Sequence, residues 1–231
     1  MLPFTFGFDP TFLLLIPAMI LTIFAQSKIQ STYNIYRREG LRSGMTGAQV
    51  ARIVLDRSGL QNVAIEMVRG NLTDHYDPRS KVLRLSEEVY SRPSIASAGV
   101  AAHEAGHAIQ DQEDYGPLRV RAFMVPFASI GSRFSMIIIL AGLLFEMFSL
   151  VDLGIVLFSL VVLFQLFTLP VEFNASSRAL AVLGDYHILA EDEVPKAKKV
   201  LDAAALTYVA AAFSSIMTLV RLLVIRDRRR D

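Results

Sequence analysis

Long apolar stretches recur along the chain, and segments of mixed polarity separate them. The stretches cover residues 11–25, 134–150, 154–169 and 206–225, and only a short interruption at Asp152 divides the second from the third. About 20 apolar residues are enough for a helix to cross a bilayer. The first stretch therefore predicts a transmembrane anchor, and the second and third predict a transmembrane hairpin. The fourth carries Thr, Tyr, Ser and Arg side chains, so whether it crosses stays open.

The segment between the anchor and the hairpin has the pattern of a small folded domain. Thr46 and Gln49 have the spacing of a capping box ahead of a short amphipathic helix. Alternation at 63–68 predicts a strand, and residues 81–85 are a second strand candidate close before a helix at 94–112. The second strand is our candidate for the edge strand that binds an extended substrate, through Val82, Leu83, Arg84 and Leu85. An ordinary structural hairpin explains the strand pattern equally well.

Composition supports a membrane protein and restricts its chemistry. Hydrophobic residues make up 53% of the chain, and its mean hydropathy is +0.43. The formal net charge is +1, which gives no indication of nucleic-acid binding. The chain has no cysteine. Disulfides, thiolate ligands and a cysteine nucleophile are therefore excluded, and any zinc site must use nitrogen and oxygen donors.

The motif with the most chemistry is the pentad His103-Glu104-Ala105-Gly106-His107. Two histidines four residues apart on a helix differ by about 40° of rotation, so both imidazoles project from one face. They can bind one Zn²⁺ ion, and Glu104 between them can act as the general base of a metallopeptidase. The alternative is a polar helix face that happens to carry two histidines. With four histidines in the whole chain, a chance match is rare.

A catalytic zinc needs a third protein ligand and an open position for water. A transmembrane hairpin returns the chain to the side that it left, so Glu172, just after the hairpin, emerges on the same side as His103 and His107. Glu172 is our candidate for the third ligand. The alternatives are His187, Asp185 and His75.

Two residues between the strand candidates are candidates for holding the oxyanion or polarising the scissile carbonyl. His75 and Tyr76 lie in a segment with turn signals, close in sequence to the pentad. A solvated histidine in a turn is the ordinary interpretation of such a residue.

These patterns predict a mainly α-helical chain with a small β-hairpin or sheet and three to four transmembrane helices. We expect five segments: 1–27, an N-terminal transmembrane anchor; 28–122, the zinc peptidase domain; 123–171, the transmembrane hairpin; 172–204, a helix with the third ligand; and 205–231, an apolar helix with a basic tail. No basic residue precedes the first apolar stretch and no small-residue cleavage site follows it. We therefore interpret the stretch as a permanent anchor and not as a signal peptide.

Three segments together resemble the bacterial neutral zinc metallopeptidases of the YugP-like membrane group: the pentad, residues 72–78, and Glu172-Phe173-Asn174-Ala175-Ser176. A wider similarity is to membrane metalloproteases of the heat-shock and CAAX-prenyl-protease type. In those proteins a Glu-x-x-Ala-Asp segment supplies the third ligand, and its Asp orients a ligand histidine. Ser176 takes the place of that Asp here. The resemblance implies a gluzincin-like domain, one catalytic Zn²⁺ and endopeptidase activity on polypeptides.

Two other functions remain as alternatives. An intramembrane site-2-type protease carries the same pentad on a membrane-buried helix, and the acidic cluster at 111–114 argues against such burial. A non-catalytic membrane scaffold that retains a zinc site is the second, and the intact Glu104 argues against it.

The distribution of charge predicts the orientation in a bacterial plasma membrane. Lysine and arginine favour the cytoplasmic side of a span, and they cluster on the side of the pentad, at Lys28, Arg37, Arg38, Arg119, Arg121, Lys196, Lys198 and Lys199. The peptidase domain is therefore expected to face the cytoplasm. Membrane or membrane-proximal polypeptides and the lipid bilayer are then the expected partners. The basic tail contradicts this orientation if the last apolar stretch crosses.

Overall fold

The fold is taken from a computed structural model that describes residues 10–228. The start of the predicted anchor segment and the last three residues of the basic tail lie outside the described residues. A short 3₁₀ helix, Pro10–Leu15, leads into the first α-helix. The elements that follow are α1 (Ile16–Tyr36), α2 (Gly47–Arg57), β1 (Ala64–Val68), β2 (His75–Asp77), β3 (Val82–Ser86), α3 (Glu87–Ser91), α4 (Ile95–Gln112), α5 (Gly116–Leu144), α6 (Phe148–Asp185) and α7 (Val194–Arg228).

The structure is mostly helical with one small sheet, as the sequence predicts. Four helical segments are long and apolar enough to cross a membrane: Pro10–Tyr36, Gly116–Leu144, Phe148–Asp185 and Val194–Arg228. The last of them contains the fourth apolar stretch. By length and composition, α7 is therefore a candidate span like the other three helices.

The sheet has three strands, whereas the sequence pattern shows only two of them. Its strand order is β1-β3-β2, with β1 parallel to β3 and β2 antiparallel to it. The expectation that Val82, Leu83, Arg84 and Leu85 form an edge strand is wrong, because β3 is the central strand. The sequence pattern missed β2, whose three residues are too few to show alternation and lie among turn-forming residues. His75 and Tyr76 therefore belong to a strand and not to a turn.

The chain divides into two compact units. One contains residues 10–24, 123–166 and 209–228 of the described chain, and the other contains residues 25–122 and 167–208. The helices α1, α5, α6 and α7 each contribute residues to both units.

In the second unit, α4 lies at the centre of the core. Small side chains on α4, among them Ala98, Ala101 and Ala105, are fully buried, and apolar side chains of α2 and β3 pack in the same core cluster. The helices α2 and α4 each begin with a capping residue. The Thr46 and Gln49 capping box precedes α2. Ser94 caps α4, since its side chain accepts a hydrogen bond from the Ser97 amide at 3.1 Å.

The first unit contains the turn between α5 and α6, and this turn lies earlier than the sequence predicts. It occupies residues 145–147, with Glu146 at a positive φ of 55°. Asp152, which we expected to interrupt two spans, lies inside α6. Its carboxylate forms an ion pair with Arg226 of α7 at 2.6 Å, so its charge has a partner within the helical packing. The same contact brings the end of α7 beside the first turns of α6.

The close packing of α2 on α3 gives the first testable prediction. A Cβ atom added at Gly47 would lie 2.1 Å from the Val89 carbonyl oxygen, whereas one added at Gly116 would meet no atom within 4 Å. We expect Gly47→Ala to destabilise the protein by about 1–3 kcal/mol, as overpacking typically does, and Gly116→Ala to leave stability unchanged. Thermal unfolding in one detergent measures both variants. Equal melting temperatures would contradict the packing described here.

Candidate metal centre

The two histidines of the pentad lie on one face of α4, as their spacing predicts. Their ring centroids are 4.8 Å apart and the rings are nearly perpendicular, with an interplanar angle of 82°. Both side chains are largely buried, with 13% of His103 and 12% of His107 exposed. The helix therefore presents two imidazoles to the same small volume.

Glu172 of α6 lies against this pair. Its Oε2 atom is 3.2 Å from His103 Nε2 and 3.7 Å from His107 Nε2, and only 2% of the residue is exposed. One donor atom from each of the three residues lies within 4.8 Å of the other two. The rival candidates for the third ligand, His75, Asp185 and His187, do not belong to this group.

The three side chains fit a tetrahedral metal. Two ligand bonds of about 2.0–2.1 Å at a tetrahedral angle separate their donor atoms by roughly 3.3 Å, and the two contacts of Glu172 are close to that length. Two imidazole nitrogens and one carboxylate oxygen are also a common donor set of catalytic zinc sites.

The other nitrogen of each imidazole is held by a polar side chain. His103 Nδ1 lies 3.1 Å from Ser176 Oγ, and His107 Nδ1 lies 3.0 Å from Gln110 Oε1. Such contacts fix the ring orientation of a ligand histidine. Both Nε2 atoms are therefore directed at Glu172. Ser176, at the position where the wider group has Asp, itself contacts His103.

Gln110 is fully buried and was not predicted as a site residue. Its amide nitrogen donates hydrogen bonds to the Val171 carbonyl at 2.8 Å and to Asn174 Oδ1 at 2.9 Å. The same side chain therefore joins His107 on α4 to the turn of α6 that carries Glu172. The contact with His107 is local, at a spacing of three residues, but sequence gives no signal for the link to α6, because Val171 and Asn174 lie more than 60 residues away.

Arg121 of α5 holds the other oxygen of the third candidate ligand. Its Nη1 atom lies 3.1 Å from Glu172 Oε1. The sequence predicted Arg121 only as one of several basic residues near a span. The ion pair leaves Oε2 of Glu172 for the two imidazoles.

The electrostatics of the group favour a cation. Burial lowers the pKa of His107, but the hydrogen bond to Glu172 and the charges of Glu104 and Glu172 outweigh burial and raise it. Burial also raises the pKa of Asp74, against two hydrogen bonds from Ser86, and the nearby charge of Glu104 adds to that effect. The negative charge of these carboxylates therefore favours a cation on this side of α4.

A cleft of about 310 Å³ opens at the group and is lined by residues of α1, α4 and α7 and by the segment before β2. Glu104 and His103 form part of its wall. Tyr208 of α7 also lines it. Tyr208 was not predicted as a site residue, because it belongs to a stretch that has the pattern of a membrane helix.

The other predicted site residues lie away from this cleft. His75 is exposed, and its Nδ1 atom is 2.8 Å from the Thr73 carbonyl. The Tyr76 hydroxyl donates to Asp111 at 2.7 Å, which with burial raises the pKa of Tyr76. Val82, Leu83 and Leu85 are buried, and Arg84 pairs with Glu66 and Asp77.

Comparison with known proteins agrees with this chemistry. Residues 11–227 match the family described as "putative neutral zinc metallopeptidase", and the chain belongs to this family. It is also 47% identical over 218 residues to the "putative membrane protease YugP" of Bacillus subtilis (strain 168), which covers 94% of this chain and 97% of that protein. No solved structure gives a significant match.

The contact between Ser176 and His103 generates a prediction about metal affinity. We expect Ser176→Ala to weaken zinc binding about tenfold, since the loss of a partner that orients a ligand costs 10–100-fold in affinity. Ser176→Asp should bind zinc at least as tightly as the wild type, because a carboxylate partner raises the basicity of the ligand histidine. Competition with a chelating fluorophore measures the affinity. Exposed Ser177 next to it provides the control Ser177→Ala, and an equal loss in that variant would remove the role of Ser176.

Proposed function

We propose that the protein is a zinc-dependent endopeptidase of a bacterial plasma membrane, with a single Zn²⁺ held by His103, His107 and Glu172. The observation that carries the proposal is the convergence of these three donor groups beside Glu104 at the wall of an open cleft. Family membership supports zinc as the metal and a polypeptide as the substrate.

The residues of the cleft have different roles in the proposed reaction. Zinc, when bound, supplies Lewis acidity that activates water and polarises the peptide carbonyl. Glu104 accepts the proton of the attacking water and passes it to the leaving amine. Tyr208, in place of His75 or Tyr76, donates a hydrogen bond to the carbonyl oxygen as negative charge develops on it. Ser176, Gln110 and Arg121 are positioning residues, since each contacts a ligand and none lines the cleft.

The intramembrane site-2-type alternative has less support. The end of α4 carries Asp111, which pairs with Lys81 at 2.5 Å and accepts from Tyr76. The helix packs in a core with α2 and β3 and is not one of the four candidate spans. The scaffold alternative does not account for Glu104 at the cleft wall.

We also propose that the five predicted segments combine into one peptidase domain and one membrane domain. The compact unit of residues 25–122 and 167–208 supports the combination of the predicted segments 28–122 and 172–204. The cluster of basic residues on the pentad side supports a cytoplasmic site. Membrane or membrane-proximal polypeptides are then the substrates within reach. The expected partners of the protein are therefore a polypeptide substrate and the lipid bilayer, and no nucleic acid.

The roles of Glu104 and Glu172 separate in a pair of substitutions. We expect Glu104→Gln to retain stoichiometric zinc and to lower the cleavage rate by at least about 100-fold, since it removes the general base. Glu172→Ala should instead lose the metal. Metal analysis of both purified proteins and a casein-type cleavage assay measure the two effects. Wild-type turnover in Glu104→Gln would rule out the base, and full zinc in Glu172→Ala would give the ligand role to another residue.

The proposed orientation can be tested cleanly because the natural chain has no cysteine. We expect Met147→Cys, in the turn between α5 and α6, to react with a membrane-impermeant maleimide in intact cells. Gln112→Cys, at the end of α4, should react only after permeabilisation. The opposite pattern would invert the orientation. A Gln112→Cys protein that stays unreactive in permeabilised membranes would support the site-2-type alternative.

A further inference from the structure

We propose that three amide side chains on α1, those of Gln26, Gln30 and Asn34, bind the backbone of an extended polypeptide that runs from the metal cleft along this helix. The inference rests on the proposed peptidase function and adds to it the device that holds the substrate. We call these three residues the ladder. Their amides would form hydrogen bonds with the backbone of the substrate and not with its side chains. The enzyme would therefore accept extended polypeptide segments of varied sequence.

The first support is a pair of neighbouring cavities along α1. Gln26, Ile29 and Tyr33 line the cleft that contains His103 and Glu104. Gln30 and Asn34 line a neighbouring cavity of about 160 Å³. Tyr33 and Leu72 belong to the walls of both. The two cavities are therefore neighbours along α1 that share part of their walls, and we call the pair the groove.

The second support is the spacing of the amides. Gln26, Gln30 and Asn34 are four residues apart, so they project from one side of α1 at intervals of about 6 Å along the axis. In an extended chain, backbone groups that point to the same side recur every two residues, or about 6.6–6.8 Å. The two repeats nearly match over the two intervals between the three amides. Each amide offers both a donor and an acceptor, so each can pair with the N–H or C=O group that a substrate presents.

The third support is that the amides are available. All three residues are exposed. None of the three side-chain amides has a hydrogen-bond partner among residues 10–228. The sheet does not offer the expected alternative, because β3 is paired on both sides. Polar atoms that line a groove beside a candidate active site, with no partner in the described chain, are suited to bind a ligand.

The remaining walls of the groove are mainly apolar. Leu72 lies on the segment between β1 and β2, at a positive φ of 54°, with 54% of its surface exposed. Near the metal group, Ile29, Val100 and Ala204 line the cleft. An apolar substrate side chain fits this part of the groove. The substrate class that follows is an unfolded segment with an apolar residue close to the cleaved bond.

The experiment uses the full-length protein in detergent, with Gln30→Leu and Asn34→Leu combined, because these positions lie outside the metal cleft. We expect KM for a peptide of about twelve residues to rise about tenfold, from the loss of two hydrogen bonds, while kcat and zinc content stay unchanged. A peptide too short to leave the metal cleft should be cleaved as by the wild type. Lys28→Met makes a similar polar-to-apolar change on the opposite face of α1 and should change neither KM nor kcat for either peptide.

A second measurement tests backbone recognition directly. In the Glu104→Gln protein, which cannot turn over substrate, we expect N-methylation of alternate residues of the long peptide to weaken binding in one register and not in the other. The Gln30→Leu, Asn34→Leu changes should abolish that difference. Equal effects of both registers, or an unchanged KM in the double variant, would overturn the ladder. A wild-type protein that cleaves and binds neither peptide would overturn the peptidase function itself.

Discussion

The candidate centre depends on the close approach of two helices, α4 and α6. At their contact a Cβ atom on Gly106 would lie 2.7 Å from the Ala175 carbonyl oxygen, so only glycine fits there. Gly106 lies between the two histidines of the pentad, and Ala175 lies between Glu172 and Ser176. The contact therefore aligns one turn of each helix. It places the carboxylate against both imidazoles and the serine hydroxyl against His103.

Such a contact buries charge, and the surrounding residues compensate for it. Glu172 is 2% exposed, and burial of an unpaired carboxylate costs several kcal/mol. Arg121 pairs with one oxygen and the imidazoles with the other. Gln110 satisfies buried acceptors on α6 while it holds His107. The polar network and the Gly106 contact thus require each other, because the network is enclosed only when the helices touch.

The sequence predicted the parts of this arrangement that depend on local spacing. The pentad, the Thr46 capping box and the return of Glu172 after an apolar hairpin each follow from a few neighbouring residues and helix geometry. Arg121 and Tyr208 could not be found this way, since they approach Glu172 from other helices, and the contacts of Gln110 with α6 are equally distant in sequence. The sheet order also escaped prediction, because a three-residue strand such as β2 carries no periodic signal. The α6 helix also continues through Pro170, close to the turn that carries Glu172.

Three of the long apolar helices, α1, α6 and α7, also carry residues of the candidate centre or of its cleft. Gln26 follows the apolar part of α1, Glu172 follows that of α6, and Tyr208 precedes that of α7, and each continues in an unbroken helix. A fragment limited to residues 28–122 would keep both histidines and Glu104. It would lack the third candidate ligand, the Ser176 contact and the part of the cleft wall that α7 provides. The membrane helices are therefore structural components of the candidate centre, and the chemistry cannot be separated from them by removing an anchor.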